Sequence, residues 1–215
     1  MTRKGFESFV EQLKLRLAEP LPGKKAQVEM APRPIDERRF NENPERPPRK
    51  GGVMVLLYPD EGRIHVPLMK RPVYNGTHSG QVSFPGGAWE PMDIDLTHTA
   101  LRETEEEIGI PQSAIEVLGH LSELFIIASN FKVLPTIGVV YEKPNFIPDP
   151  IEVARVLPMS LDVLYNEEQR KVKTMKFPPF TIHSPYYDVH GEVVWGATAM
   201  MLSELAAIME QLIRK

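Results

Sequence analysis

Three glutamates, Glu103, Glu106 and Glu107, stand at i, i+3 and i+4 in the run Arg102-Glu103-Thr104-Glu105-Glu106-Glu107-Ile108-Gly109-Ile110. At 3.6 residues per turn, setting Glu103 at zero puts Glu106 near roughly 300° and Glu107 near roughly 40°, with Glu105 apart at roughly 200°. The spacing predicts three carboxylates on one helix face, and Leu101, Thr104 and Ile108 on the face that packs on a sheet. Like charges at these spacings repel by about 0.2–0.5 kcal/mol per pair, and Arg102 is the only cation in the last two turns. A hard divalent cation, Mg²⁺ or Mn²⁺, would offset the repulsion, with waters and substrate phosphates completing its octahedron. The alternative is a solvated acidic face that holds nothing. Pro85-Gly86-Gly87 upstream weighs against it, because glycine lets backbone approach a ligand closely.

The elements that must position these residues are legible to different degrees. A helix is predicted from about Thr97 to Ile108, stopped by Gly109. Gly52–Tyr58 and Ile64–Lys70 are β-rich runs joined by Pro59-Asp60-Glu61-Gly62, a hairpin signal. Further strands are expected at Ile115–Leu118, Glu123–Ile127 and Val133–Tyr141, and helices at Leu161–Glu168 and Thr198–Arg214. Ahead of the hairpin, Phe6, Phe9, Val10, Leu13 and Leu17 recur at helical spacing and form an amphipathic helix. Its stripe must bury on its own domain or on a partner subunit, and a homodimer is one way to do so. Residues 1–30 therefore read as an N-terminal helical segment and 31–50 as a Pro/Arg-rich linker, with one domain over 51–215. The linker holds Arg33, Arg38, Arg39, Arg46, Arg49 and Lys50; it reads as a solvated connector, with a phosphate-binding arm as the alternative. The fold class is α+β, an α/β/α sandwich around a mixed sheet.

Composition excludes several classes. There is no cysteine in the 215 residues, so disulfides, thiolate metal sites and a cysteine nucleophile are absent. The longest apolar stretches, such as Val53–Tyr58, are too short to span a bilayer. A net charge of -4 argues against sequence-independent binding to nucleic acid. Neither Met1-Thr2-Arg3-Lys4-Gly5 nor Leu212-Ile213-Arg214-Lys215 resembles a targeting signal, so the expected setting is the cytoplasm and the expected partner a small molecule.

Gly-x5-acid, a spacer, then Arg-Glu-x2-Glu-Glu-x-Gly resembles the signature of the Nudix hydrolases, which cleave a nucleoside diphosphate linked to another group. Arg102 to Ile110 matches position by position; Asp93 stands where the family usually has Glu, and the spacer is one residue longer than the common form. That spacer, Lys70, Arg71, Gly80 and the Phe84-Pro85-Gly86-Gly87 run resemble the coenzyme A pyrophosphatase branch. Gly76 occupies a position where that branch carries arginine, and Pro72 one where Ser or Ala is usual. Val194–Ala199 resembles the branch as well.

The resemblance implies a Nudix-type sandwich and a metal held by Glu103, Glu106 and Glu107 with the Gly86 carbonyl as a further ligand. Arg102 would orient a helix carboxylate, and Lys70, Arg71 and Gly87 would contact substrate. The general base is one of the helix glutamates or Glu152, with His78 as second candidate. Trp195 reads as a core aromatic, with ligand stacking as the alternative, and Met200 and Met201 as core filling. The implied activity is hydrolysis of coenzyme A or acyl-CoA to 3′,5′-ADP and (acyl) 4′-phosphopantetheine. The alternatives are the same chemistry on a sugar nucleotide, dinucleotide or oxidised nucleotide, or a binding module without turnover.

Overall fold

The computed structural model describes residues 1–36, 47–75, 78–177 and 180–213. Its spine is β1 (Arg49–Asp60), whose last residues pair antiparallel with β2 (Arg63–Lys70). The turn between them is Glu61-Gly62, with φ of 45° and 76°. Positive φ at both positions suits the twist of a two-residue hairpin, and glycine adopts it freely. From Arg49 to Leu57, β1 also runs parallel to β7 (Phe131–Val139), and at Gly51–Val53 it pairs with the short β4 (Gly86–Ala88). With β3 (Val82–Ser83), β5 (Glu116–His120), β6 (Leu124–Ile126) and β8 (Arg155–Ser160), the described residues form one mixed sheet of eight strands. A second, antiparallel sheet joins β9 (Arg170–Phe177), β10 (Phe180–Val189) and β11 (Glu192–Trp195).

The alternation along β1 explains the sandwich. Val55 and Leu57 face one core, shared with Phe6, Val10 and Leu13 of α1 (Arg3–Leu17) and with Met200, Leu202 and Leu205 of α4 (Gly196–Ile213). Met54, Leu56 and Tyr58 face the other, under Ala100 and Ile108 of α3 (Leu96–Ile108). A strand covered on both sides reads as an unbroken apolar run, as Val53–Tyr58 does. Gly52 sets how close α3 can come: a Cβ there would lie 2.1 Å from the Leu96 carbonyl oxygen. Neither backbone can yield. Gly52→Ala is therefore expected to cost about 1–3 kcal/mol or more, as overpacking does; urea unfolding with an unchanged midpoint would show that α3 is not seated by this contact.

The stripe of α1 is buried on its own chain, so it is not free to serve as a dimer surface. The short α2 (Lys24–Gln27) follows α1 and packs against α4, locked by a carboxylate of that helix. Glu204 is fully buried and accepts from Gly23 N at 3.0 Å, Gln27 Nε2 at 2.9 Å and Ser122 Oγ at 2.7 Å. Satisfied by donors from two distant segments, it fixes both to the helix. The proline-rich stretch enters the fold at both ends. Ala31 is buried, Arg33 exchanges backbone hydrogen bonds with His183 of β10, and Arg49 and Lys50 open β1. Arg38, Arg39 and Arg46 lie outside the described residues.

One expectation is corrected, and one part of the fold is not signalled by the sequence. Leu161–Glu168 is not an α-helix but two 3-10 turns, Leu161–Tyr165 and Glu167–Gln169. Asn166, extended at φ -89° and ψ 106°, ends the first, and its side chain accepts from Glu168 N to start the second. The strands β8 to β11 carry no sequence signal strong enough to read. β9 is exposed along almost its whole length, so no apolar face marks it, while Pro158 and Pro185 within β8 and β10 weaken the strand pattern in the sequence.

Candidate metal and active site

Asp95 caps α3 by accepting from His98 N at 2.8 Å, and Gly109 ends it in the left-handed region at φ 73°. Just ahead of the helix, Asp93 is buried and accepts from Arg102 Nε at 2.9 Å and Nη2 at 3.1 Å. It also accepts from Thr99 Oγ1 at 2.9 Å and Glu90 N at 2.9 Å, and contacts His98 Nδ1. Hydrogen bonds from Arg102 first, then from these other donors, hold the Asp93 carboxyl well below the usual range despite its burial. Arg102 donates onward to the Ala88 carbonyl and to Glu106 Oε2 at 2.8 Å, and its Nη1 lies 2.9 Å from Glu103 Oε1. One guanidinium thus ties the loop, β4 and two helix carboxylates together.

Glu107 faces inward rather than sharing an exposed acidic face. It is buried, and its Oε2 accepts from Gly86 N at 2.7 Å. Arg71 Nη2 lies 3.7 Å from its other oxygen and 3.4 Å from the Gly86 carbonyl. Burial pushes the Glu107 carboxyl up to about 8, opposed by the Gly86 N–H and Arg71 and reinforced by Glu103 and Glu152. Glu103 is raised as well, first by burial, with Arg102 working against the rise. Its carboxylate fills the place where a Cβ on Gly87 would be, 2.3 Å away, so that position excludes any side chain.

The third acid comes from elsewhere in the chain. Ligand atoms of Glu103, Glu107 and Glu152 lie within 4.8 Å of one another. Glu152 is carried by a loop that satisfies the carbonyls left open at the end of α3: Ile147 N donates to Ile108 O and Asp149 N to Glu107 O, each at 2.9 Å. Asp149 Oδ1 in turn accepts from Glu152 N at 3.0 Å. One buried acid, one half-buried and one exposed, all hard oxygen donors with raised pKa values on Glu103 and Glu107, fit a divalent cation. Adding Mg²⁺ is expected to raise the melting temperature, by the equivalent of about 2.7 kcal/mol at a hundredfold excess over Kd. The rise should vanish in Glu103→Gln; scanning calorimetry with equal shifts in both proteins would remove the site.

Of the other residues singled out from the sequence, the structure brings Arg71, Gly86 and Gly87 to this cluster and leaves two apart. Glu106, with 58% of its side chain exposed, turns to Arg102 and lies outside the three-acid group. Lys70 Nζ is bound to Glu192 Oε1 of β11 at 2.8 Å. His78 Nδ1 pairs with Gln81 in its own loop, and Gly76 lies outside the described residues. Trp195 is half-buried and stacks on Phe177 with centroids 6.2 Å apart, while Met200 and Met201 fill the core. Sequence spacing missed Glu152 as a member of the metal group, since no local pattern connects it to α3.

Residues 48–172, more than half the chain and including every acid of this cluster, match the NUDIX domain model. The chain belongs to the Nudix family. It is 35% identical over 191 residues to Nudix hydrolase 15, mitochondrial, of Arabidopsis thaliana, covering 85% of this chain and 64% of that protein. It is 30% identical over 173 residues to Nudix hydrolase 3 of Caenorhabditis elegans, covering 73% of this chain and 72% of that one. It thus spans less than two thirds of the plant relative's length. A Nudix hydrolase from M. smegmatis, RenU, shares the fold at a TM-score of 0.53 and 14% identity, covering 76% of this chain and 87% of that one. The Nudix sandwich expected from the sequence is therefore the one observed. No helix among the described residues is long and apolar enough to cross a membrane.

Proposed function

We propose that this Nudix chain hydrolyses a diphosphate linkage in a metal-dependent reaction, and that its substrate is coenzyme A or acyl-CoA. The convergence of Glu103, Glu107 and Glu152 within 4.8 Å beside Gly86-Gly87 carries the reading. Water adds to one phosphorus, the bridging P–O bond breaks, and the bridging oxygen leaves with the other phosphate and takes up a proton. The products are 3′,5′-ADP and (acyl) 4′-phosphopantetheine. When bound, Mg²⁺ or Mn²⁺ supplies charge neutralisation at the diphosphate and acidifies a water. Glu103 and Glu107 would hold the cation, with the Gly86 carbonyl as a further ligand. Glu152, on the exposed side, takes the proton from the attacking water. Arg102 keeps Glu103 aimed, and Arg71 stands at the edge to meet a phosphate oxygen.

The coenzyme A assignment rests on Lys70, Arg71, Gly80 and Phe84–Gly87. The pairing of Lys70 with Glu192 favours the second reading, a different nucleoside diphosphate derivative, because it occupies a residue that branch would use on substrate. The intact acid cluster stands against a module without turnover. The cysteine-free sequence supports a cytoplasmic setting. The deciding experiment is incubation of coenzyme A with Mg²⁺ or Mn²⁺ and identification of products by mass. Release of 3′,5′-ADP supports both class and branch. Cleavage of a sugar nucleotide or dinucleotide in its place discards the branch, and no cleavage of any diphosphate discards the hydrolase.

A further inference from the structure

We propose that the exposed face of Trp89 is the platform on which the flat base of the substrate's nucleoside stacks. This rests on the diphosphate reading above and adds to it a residue that recognises the nucleoside.

Trp89 follows β4 directly, and its N–H continues the pairing with β1 by donating to the Lys50 carbonyl at 2.9 Å. Side chains along extended backbone alternate, so Trp89 leaves the strand on the same side as Gly87, which lies two residues, about 7 Å, away. That is the side on which Gly87 meets the Glu103 carboxylate. The indole therefore rises beside the acid cluster. Its Nε1–H donates to the Asp93 carbonyl at 3.2 Å, and Asp93 is itself clamped by Arg102. The residue is held through its backbone N–H and its indole Nε1–H by the frame that aims α3, yet it is 44% exposed.

A large aromatic side chain held by its Nε1–H and still open to solvent presents a flat apolar face to a ligand. A ring already immobilised loses little freedom when a ligand lies against it. Stacking is tolerant of which base is presented, since every base has a π-face. A diphosphate seated at Glu103 and Glu107 would carry its nucleoside within reach of this surface.

The chain has two tryptophans, so Trp195→Phe leaves Trp89 as the only indole reporter. In that background ADP with Mg²⁺ is expected to quench the indole emission, and inorganic pyrophosphate with Mg²⁺ to bind by calorimetry without quenching. Trp89→Ala is expected to weaken ADP binding about tenfold and leave pyrophosphate unchanged, with Trp89→Phe restoring most of the loss. Equal ADP affinity in Trp89→Ala and parent would overturn the platform and leave the diphosphate site standing. Parallel loss of ADP and pyrophosphate would also overturn it, making Trp89 a loop support. Failure of both probes to bind the parent would reject the diphosphate reading itself, and the platform with it.

Discussion

Replacing Glu107 by glutamine is expected to lower turnover about a thousandfold while the fold survives, since metal ligation and charge stabilisation at the reacting phosphate go together. The side chain is buried and hydrogen-bonded to Gly86 N, so an isosteric amide keeps the shape and removes only the charge. Without cation that charge is a liability: burial disfavours it, and Glu103 and Glu152 repel it. The metal-free variant should therefore melt at the same temperature as the parent or higher. Kinetics with a saturating diphosphate substrate and a melting curve test both halves. Activity within tenfold of the parent would dismiss Glu107 as a ligand. A collapsed melting temperature would make its role structural.

This residue also shows how far the sequence could be read. Periodicity placed Glu103 and Glu107 correctly on neighbouring azimuths, because a regular helix converts spacing into direction. It also put Thr104 and Ile108 on the buried side, with Leu101 half-buried against the same core, but it did not show that Glu107 is inside as well. Burying a carboxylate violates the pattern that periodicity relies on, and it does so at the site. Helical spacing groups Glu106 with Glu103 and Glu107 too, but its side chain turns to the Arg102 guanidinium instead. Glu152 arrives through a loop whose backbone caps α3, an arrangement with no one-dimensional trace. Val53–Tyr58 and the Glu61-Gly62 turn were legible because local chemistry decides them. β9 was not, because an exposed strand of alternating cations and β-branched residues takes its conformation from its neighbour.

Asp93→Ala is expected to destabilise the protein by about 3–5 kcal/mol, the cost of stranding one half of a buried ion pair. Arg102 would stay buried with its Nε donor unpaired and Nη2 left with the Ala88 carbonyl, and Thr99 and Glu90 N would lose their Asp93 acceptor. That is a large share of the stability of an ordinary domain. Acid dependence gives a second readout. The folded carboxyl lies below the ordinary aspartate value of 3.8, so its contribution is present above that pH and is lost as pH falls further. Asp93→Asn should accordingly show a shallower loss of stability than the parent below about pH 4. Urea titrations at neutral and acid pH measure both; parallel slopes in the two proteins would contradict the pairing.

The Glu204 anchor bears on what counts as the unit of inheritance. The stretch that identifies the family, 48–172, stops short of α1, α2 and α4. Yet one face of β1 packs on α1 and α4, and Glu204 rivets Gly23, Gln27 and Ser122 into one joint. A chain trimmed to the recognisable span would keep every acid of the site and lose the roof beneath which the sheet folds. The signature records ancestry of the chemistry, whereas the physical unit that must be passed on intact is the longer chain, terminal helices included.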